Sequence, residues 1–131
     1  MIDKREKRYQ EFGEFLARFV VDLNHLSEEG WSVLVEGPRD ARALRKLGFT
    51  GNLVTIASLV KGGIPVFSGR RGVVLLTDLD REGKVLASRC IRRLTHDGFR
   101  TSLKERLRLK NASRGVFLHI ENLSRFAQDE T

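Results

Sequence analysis

The sequence predicts an α/β protein in which a sheet of about four parallel strands is flanked by helices. Segments with helical spacing alternate with short apolar runs along the chain. Those runs are apolar at consecutive positions, which is typical of strands buried on both faces of a sheet. A length of 131 residues, without an internal repeat or a linker, fits one domain with a sizeable core.

Residues 5–26 predict an amphipathic helix that precedes the sheet. Apolar side chains recur there at intervals of three and four: Phe12, Phe15, Leu16, Phe19, Val20, Leu23 and Leu26. We therefore expect residues 1–30 to form an added N-terminal helix packed on a main domain of residues 31–131. Its phenylalanine stripe is explained better by core packing, or by contact with a second copy or a protein partner, than by a ligand pocket.

Three strands and a helix are predicted in the central part of the chain. WSVLVEG predicts a buried strand that ends at Glu36, and Pro38 suits the first turn of a helix reaching residue 47. LVTIAS, residues 53–58, predicts the second strand. KGGIPVFSGRR, residues 61–71, predicts a glycine-rich connection, and GVVLLTD, residues 72–78, predicts the third strand.

The last third of the chain predicts two helices, a strand and a closing turn. A two-faced helix is expected from Glu82 to His96, with apolar residues on one side and arginines on the other. Ser102 with Glu105 predicts a capping box that opens a helix to about residue 110. VFLHI, residues 116–120, predicts the final strand, and NLSRFA, residues 122–127, a closing helical turn.

The net charge of +7 is unevenly distributed along the chain. Residues 1–30 carry five Lys and Arg against seven Asp and Glu, whereas residues 81–131 carry twelve against six. This basic half suggests an anionic partner, with nucleic acid as the first candidate and an acidic protein or a membrane surface behind it. The charged N-terminus and the lack of a long apolar run argue against a secretory signal or a membrane span, and predict a cytoplasmic protein.

The cysteine and the three histidines do not predict a metal site. Cys90 is the sole cysteine, so it cannot form an internal disulfide, and we expect it in the core. The histidines, His25, His96 and His119, lie far apart and lack metal-ligand spacing. We therefore expect each of them to be structural or at the surface.

Acidic residues follow two of the predicted strands. Glu36 comes after the first strand, and Asp78 and Asp80 come at the end of the third. Ligands of an open parallel sheet bind beyond the carboxyl ends of its strands. If the first and third strands are neighbours, the three carboxylates meet at one edge, and an all-oxygen set of this kind suits Mg²⁺.

An alternative interpretation gives these residues structural roles alone. Asp80 would then cap the following helix, and Gly83 would relieve a tight turn. Glu36 would pair with Arg39. Short motifs such as DxDxxG recur by accident, so the motif alone favours this alternative, and the addition of Glu36 with Gly37 on a separate strand weakens it.

Two stretches together resemble the Toprim domain, the metal-binding module shared by topoisomerases, bacterial primases and small nucleases. VLVEGPRDARAL, residues 33–44, resembles its first motif, and VVLLTDLDREG, residues 73–83, resembles its second. The match covers roughly residues 31–120 and implies a compact, Rossmann-like α/β domain. The likeness is greatest to small single-domain archaeal-type Toprim proteins and to the Toprim ribonuclease that matures ribosomal RNA.

The resemblance implies a role for each matched acid. Glu36 would be the general acid/base and a metal ligand, and Asp78 and Asp80 would bind Mg²⁺, for which Mn²⁺ could substitute. Three further residues would support the site without binding the metal: Gly37, Asp40 and Gly83. Asp40 would lie beside the metal ligands or cap a helix. Glu82 stands where many members of the family have a third aspartate. The resemblance therefore implies either one or two metal ions.

The implied activity is Mg²⁺-dependent cleavage or transfer of phosphodiester bonds in nucleic acid, with RNA slightly favoured over DNA. The sole tyrosine, Tyr9, lies outside the matched region, so strand passage by a tyrosine nucleophile is not expected. The alternative is a non-catalytic nucleic-acid-binding or assembly module that retains the Toprim metal site.

A basic surface is predicted around the 82–96 helix, where it would dock a phosphate backbone. Its members are Arg39, Arg81, Lys84, Arg89, Arg92 and Arg93. Cations farther along the chain could extend it: Arg100, Lys104, Arg106, Arg108 and Lys110. A solvated face without a partner explains the same residues equally well.

Overall fold

Four parallel strands form one sheet in a computed structural model that describes residues 2–62 and 71–127. They are β1 (Trp31–Val35), β2 (Leu53–Thr55), β3 (Gly72–Leu75) and β4 (Thr101–Ser102). The strand order is β2-β1-β3-β4, and each neighbouring pair is parallel. The predicted α/β class with a four-stranded parallel sheet is confirmed.

Helices cover both faces of this sheet. They are α1 (Lys4–Glu28), α2 (Pro38–Lys46), α3 (Ile56–Gly62), α4 (Arg81–His96) and α5 (Lys104–Ser113), followed by a 3₁₀ helix at Ile120–Phe126. In the described part of the chain, no helix is both long and apolar enough to cross a membrane.

Successive strand residues point into two separate hydrophobic clusters. Val33 and Val74 belong to the cluster formed with α1, α2, α5 and the 3₁₀ helix. Leu34 and Leu75 belong to the cluster formed with α3 and α4. Both strands are therefore buried on two faces, which explains why their sequences are apolar at consecutive positions.

The N-terminal helix is one side of the core. The buried residues of α1 lie along the predicted stripe: Phe12, Leu16, Phe19, Val20 and Leu23. Asp3 caps its first turn by accepting a hydrogen bond from the Glu6 N–H at 2.8 Å. Near the C-terminal end of α1, the Asn24 side chain donates a hydrogen bond to the Gly48 carbonyl and accepts one from the Thr50 N–H. These two hydrogen bonds connect α1 to the loop after α2.

The prediction of a strand over residues 53–58 is correct only for its first half. The strand ends at Thr55, and α3 begins at Ile56. The Thr55 hydroxyl accepts a hydrogen bond from the Ser58 N–H at 3.2 Å, so a polar side chain inside the apolar run starts a helix. Of the predicted glycine-rich connection at 61–71, residues 63–70 lie outside the described residues.

The prediction of a final strand at 116–120 is wrong. The fourth strand is Thr101–Ser102, which pairs with Val73 and Val74 directly after α4. Residues 116–119 cross the end of the sheet, where the Leu118 carbonyl accepts a hydrogen bond from the Leu79 N–H at 2.7 Å. Phe117 stacks on Phe12 of α1 with ring centroids 5.2 Å apart, so its apolar character serves packing against a helix.

The capping box predicted at Ser102 and Glu105 takes another form. The Ser102 hydroxyl donates to the Glu105 carboxylate at 2.6 Å, but the residue at the cap position of α5 is Leu103. The helix runs on to Ser113, beyond the predicted end near residue 110, and stops at Arg114 in the left-handed conformation. The closing helical turn predicted at 122–127 is present as the 3₁₀ helix.

Candidate metal centre

The centre lies where the strand order reverses, between the carboxyl ends of β1 and β3. The two strands are hydrogen-bonded neighbours, and the chain beyond each strand carries one of the predicted acids. The Asp78 N–H donates to Glu36 Oε2 at 2.6 Å. Glu36 and Asp78, 42 residues apart in sequence, therefore meet at the crevice in which open α/β sheets bind ligands.

Asp78 is positioned by the segment that crosses the end of the sheet. Its Oδ1 accepts a hydrogen bond from the Ile120 N–H at 2.9 Å. Its Oδ2 lies 3.1 Å from Nδ1 of His119. One carboxylate oxygen is thus fixed by the backbone, and the other faces an imidazole nitrogen.

Asp80 caps α4 through one oxygen and turns the other toward the centre. It is the N-cap of α4, where Oδ1 accepts a hydrogen bond from the Gly83 N–H at 2.8 Å. Its Oδ2 lies 3.9 Å from His119 Nδ1. The cap holds one oxygen in place while the other points toward the same imidazole as Asp78.

Gly83 is a glycine because the Asp78 backbone passes directly against it. A Cβ at this position would overlap the Asp78 carbonyl group. The Gly83 carbonyl also accepts a hydrogen bond from the buried Thr77 hydroxyl at 2.6 Å. The glycine of the second motif therefore lets the first turn of α4 pack against the loop that carries both aspartates.

Asp40 and Gly37 shape the other half of the centre. Asp40 Oδ2 accepts a hydrogen bond from the Gly37 N–H at 3.0 Å, which closes the first turn of α2 just after Glu36. Asp40 is buried. It acts as a helix cap beside the ligand group, which is one of the two roles that we expected for it.

Arg106 does not belong to a basic surface, and that expectation is wrong. Its side chain is buried beneath the aspartate loop. Its guanidinium donates to the carbonyl of Asp78 at 2.5 Å and to that of Thr77 at 3.3 Å. Burial lowers its pKa, and the charges of the neighbouring acids oppose that shift. The helical pattern of α5 alone could not show that this arginine faces inward.

His119 is the residue of the centre that the sequence did not predict. The expectation of a structural or surface role holds for His25 and His96, which are exposed, but His119 contacts both aspartates. Its ring is about half exposed. It comes from a segment about 40 residues beyond the DxDxxG motif, so no local spacing could reveal it.

Negatively charged side chains outnumber positively charged ones at the centre. Burial raises the pKa of Glu36, and the hydrogen bond from the Asp78 N–H opposes it. Nearby negative charges add to the rise: Asp78, Asp40 and Asp80. Burial and the charge of Asp78 likewise raise the pKa of Asp40. The hydrogen bond with Asp78 raises the pKa of His119, so the acids stabilise the protonated ring.

A divalent cation fits this donor set. Among the described residues, ligand atoms of Asp78, Asp80 and His119 all lie within 4.8 Å of one another. Around an octahedral ion with bonds of about 2.1 Å, neighbouring ligands are about 3 Å apart and opposite ones about 4 Å. Small side-chain shifts would therefore bring the three atoms onto one ion. The predicted set of Glu36, Asp78 and Asp80 shares two members with this group, and Glu36 lies beside it.

The predicted basic residues of α4 are exposed. The helix buries Gly83, Ala87, Cys90 and Leu94 and turns its cations outward: Arg81, Lys84, Arg89, Arg92 and Arg93. Arg81 follows Asp80 directly. Arg92 lies about 16 Å from Arg81 along the helix axis, at a rise of about 1.5 Å per residue. Arg39 is exposed at the start of α2 and pairs with Glu121, with 4.0 Å between Nη1 and Oε2, instead of with Glu36.

Comparison with known proteins places the chain among archaeal relatives. No protein-family model matches it. It is 33% identical over 113 residues to a UPF0292 protein of Thermococcus onnurineus, which covers 86% of this chain and 85% of that protein. It is 35% identical over 103 residues to a UPF0292 protein of Methanocaldococcus jannaschii, which covers 76% of this chain and 79% of that protein.

A solved structure extends this comparison to the fold. A protein from Aquifex aeolicus superposes on the chain with a TM-score of 0.64 at 28% identity. The superposition covers 80% of this chain and 94% of that one. The sequence relatives match over most of both lengths at more than 30% identity, and on that basis the chain belongs to the UPF0292 protein family.

Proposed function

We propose that the chain is a cytoplasmic, Mg²⁺-dependent enzyme of the Toprim type that cleaves or transfers phosphodiester bonds in nucleic acid, with RNA slightly favoured over DNA. The observation that carries the proposal is the meeting of Glu36, Asp78 and Asp80 at the junction of β1 and β3. The order and spacing of these acids resemble those of the two Toprim motifs.

Asp78 and Asp80 would hold the metal through the oxygens that face His119. Mg²⁺, or Mn²⁺ in its place, would neutralise charge on the attacked phosphate and lower the pKa of a bound water. Each aspartate is already fixed through its other oxygen by a backbone N–H. The ligands are therefore preorganised, which limits the entropy lost on binding.

Glu36 would move the proton. A general acid/base works best when its pKa lies near the working pH. In the metal-free protein, burial and the neighbouring aspartates raise the pKa of Glu36 in that direction, and a bound cation would oppose part of this rise. Its Oε2 is held by the Asp78 N–H, so the carboxyl group keeps a fixed distance from the metal ligands.

The outer face of α4 would dock the strand. Its N-terminus begins at the centre, where the helix dipole and Arg81 favour an anionic group. Lys84, Arg92 and Arg93 continue the positive surface away from the centre. A phosphate backbone following α4 would thus place one phosphodiester at the acids without contacts to bases, which fits recognition by backbone and shape.

Substitution of Asp78 by Asn is the direct test. We expect Asp78→Asn to abolish both Mg²⁺ binding and turnover, because the substitution removes a charged ligand and keeps the side-chain shape. The measurement pairs calorimetry with Mg²⁺ and cleavage assays on single- and double-stranded RNA and DNA. Asp97→Asn, an exposed aspartate at the far end of α4, is the control and should keep both activities.

Two results would reject the proposal in different ways. An Asp78→Asn variant that cleaves at the original rate removes the assigned centre. Salt-sensitive binding of nucleic acid without turnover of any substrate, in either Mg²⁺ or Mn²⁺, favours the non-catalytic binding or assembly module instead.

A further inference from the structure

We propose that His119 is a third metal ligand and that it makes this centre bind Mn²⁺ more tightly than Mg²⁺. The inference rests on the metal site of the proposed function, and it is independent of which substrate that site acts on. It assigns a role to a histidine that neither sequence motif contains.

The distances support direct ligation. His119 Nδ1 lies 3.1 Å from Asp78 Oδ2 and 3.9 Å from Asp80 Oδ2. These separations fall between the values for neighbouring and opposite ligands on one ion, about 3 and 4 Å for bonds of about 2.1 Å. In the metal-free protein Nδ1 is hydrogen-bonded to Asp78, and loss of its proton would let the same nitrogen turn from this hydrogen bond to an ion held by both aspartates.

The backbone around His119 is held on both sides. The Leu118 carbonyl accepts a hydrogen bond from the Leu79 N–H at 2.7 Å. The Ile120 N–H donates to Asp78 Oδ1 at 2.9 Å. Two contacts with the 78–80 loop thus fix the histidine to the segment that carries the other ligands, while the half-exposed ring leaves an ion a path from solvent.

The chemistry of the donor atoms sets the preference. Mg²⁺ is a hard ion that takes oxygen ligands and keeps several waters. Mn²⁺ accepts oxygen as readily and binds imidazole nitrogen better, as expected for a transition metal. A set of two carboxylates and one imidazole therefore gains more affinity for Mn²⁺ than for Mg²⁺ from its nitrogen ligand.

The first measurement is spectroscopic and uses the unmodified protein. With Mn²⁺ bound, pulsed electron paramagnetic resonance should show modulation from a directly coordinated imidazole ¹⁴N. The assay is buffered at mildly alkaline pH so that the ring is neutral and able to coordinate. This result does not depend on how any variant folds.

The second measurement compares metal affinities of variants. His119→Gln should weaken Mn²⁺ binding by about 10- to 100-fold and change Mg²⁺ binding by less than about threefold, because the substitution removes the nitrogen ligand. His96→Gln is the matched control. His96 also lies beside a carboxylate, 3.4 Å from Asp97, but it faces solvent and should leave both affinities unchanged.

The outcomes separate this inference from the function on which it rests. If Asp78→Asn abolishes Mn²⁺ binding while the protein shows no ¹⁴N modulation and His119→Gln binds Mn²⁺ normally, the role of His119 is rejected and the metal site stands. If the unmodified protein binds neither ion, the metal site and the proposed function are both rejected.

Discussion

At the scale of single residues, Asp78 connects three parts of the chain. Its N–H bonds to Glu36 after β1, its Oδ1 to the Ile120 N–H, and its Oδ2 to His119. The carbonyl of the same residue accepts from the buried Arg106 of α5. The position of this aspartate is therefore determined by contacts from distant segments, which is the kind of preorganisation that the proposed metal site needs.

Asp40 gives a residue-scale prediction about pH and stability. Burial and the charge of Asp78 raise its pKa in the folded protein, so the folded state binds this proton more tightly than the unfolded state. The stabilisation from that proton is complete below the unfolded pKa, near 3.8, and is lost as the pH rises through the folded value. Ionisation of Asp40 therefore costs folding free energy relative to its protonated form.

The substitution Asp40→Asn removes this charge and keeps an oxygen that can accept from the Gly37 N–H. In metal-free protein, we expect the Tm of the variant, relative to that of the unmodified protein, to gain most at neutral pH, and that gain to shrink as the pH falls toward 4. Thermal melts of both proteins across this range measure it. A gain that is constant with pH, or that grows in acid, contradicts the linkage.

At the scale of elements, the parts of the centre that the sequence predicts are those that follow from strand ends. Glu36 and Asp78 each come after an apolar run, and parallel neighbours bring such residues to one edge. The two-residue strand Thr101–Ser102 has no apolar pattern of its own, because it is defined by pairing with β3. His119 likewise reaches the centre through tertiary contacts of the 116–119 segment, which local periodicity cannot encode.

The α4 helix carries a prediction about nucleic-acid binding. Combined substitution of Arg92 and Arg93 by Ala should weaken binding of single-stranded RNA. It should also reduce the slope of log affinity against log salt by about 0.7 for each phosphate that the variant no longer neutralises. Both side chains are exposed, so the fold should not change. Fluorescence anisotropy titrations over a range of salt concentrations measure the slope.

The control for α4 is a second pair of exposed arginines, Arg5 and Arg18 on α1. Substituting them by Ala removes the same charge from the molecule. If this pair lowers affinity and salt slope as much as the α4 pair does, net charge explains the binding, and α4 has no special part in it.

At the scale of the whole molecule, α1 and the C-terminal segment close the same side of the sheet. Phe12 stacks on Phe117 and contacts Phe126 edge to face, with centroids 5.2 Å apart in each pair. The segment between those two aromatic residues carries His119 and Ile120. The N-terminal helix thus packs, through Phe12, against both ends of the segment that carries His119.

This arrangement predicts that the packing of α1 contributes strongly to the stability of the fold. Phe19 is 1% exposed in the cluster beneath the sheet, and replacing it by Ala should cost about 3–5 kcal/mol in the free energy of unfolding. Val21, on the same helix, is 53% exposed, so Val21→Ala should cost less than about 0.5 kcal/mol. Urea denaturation of the two variants gives both values. If Phe19→Ala unfolds at the same urea concentration as the unmodified protein, the packing of α1 against the sheet does not stabilise the fold at this position.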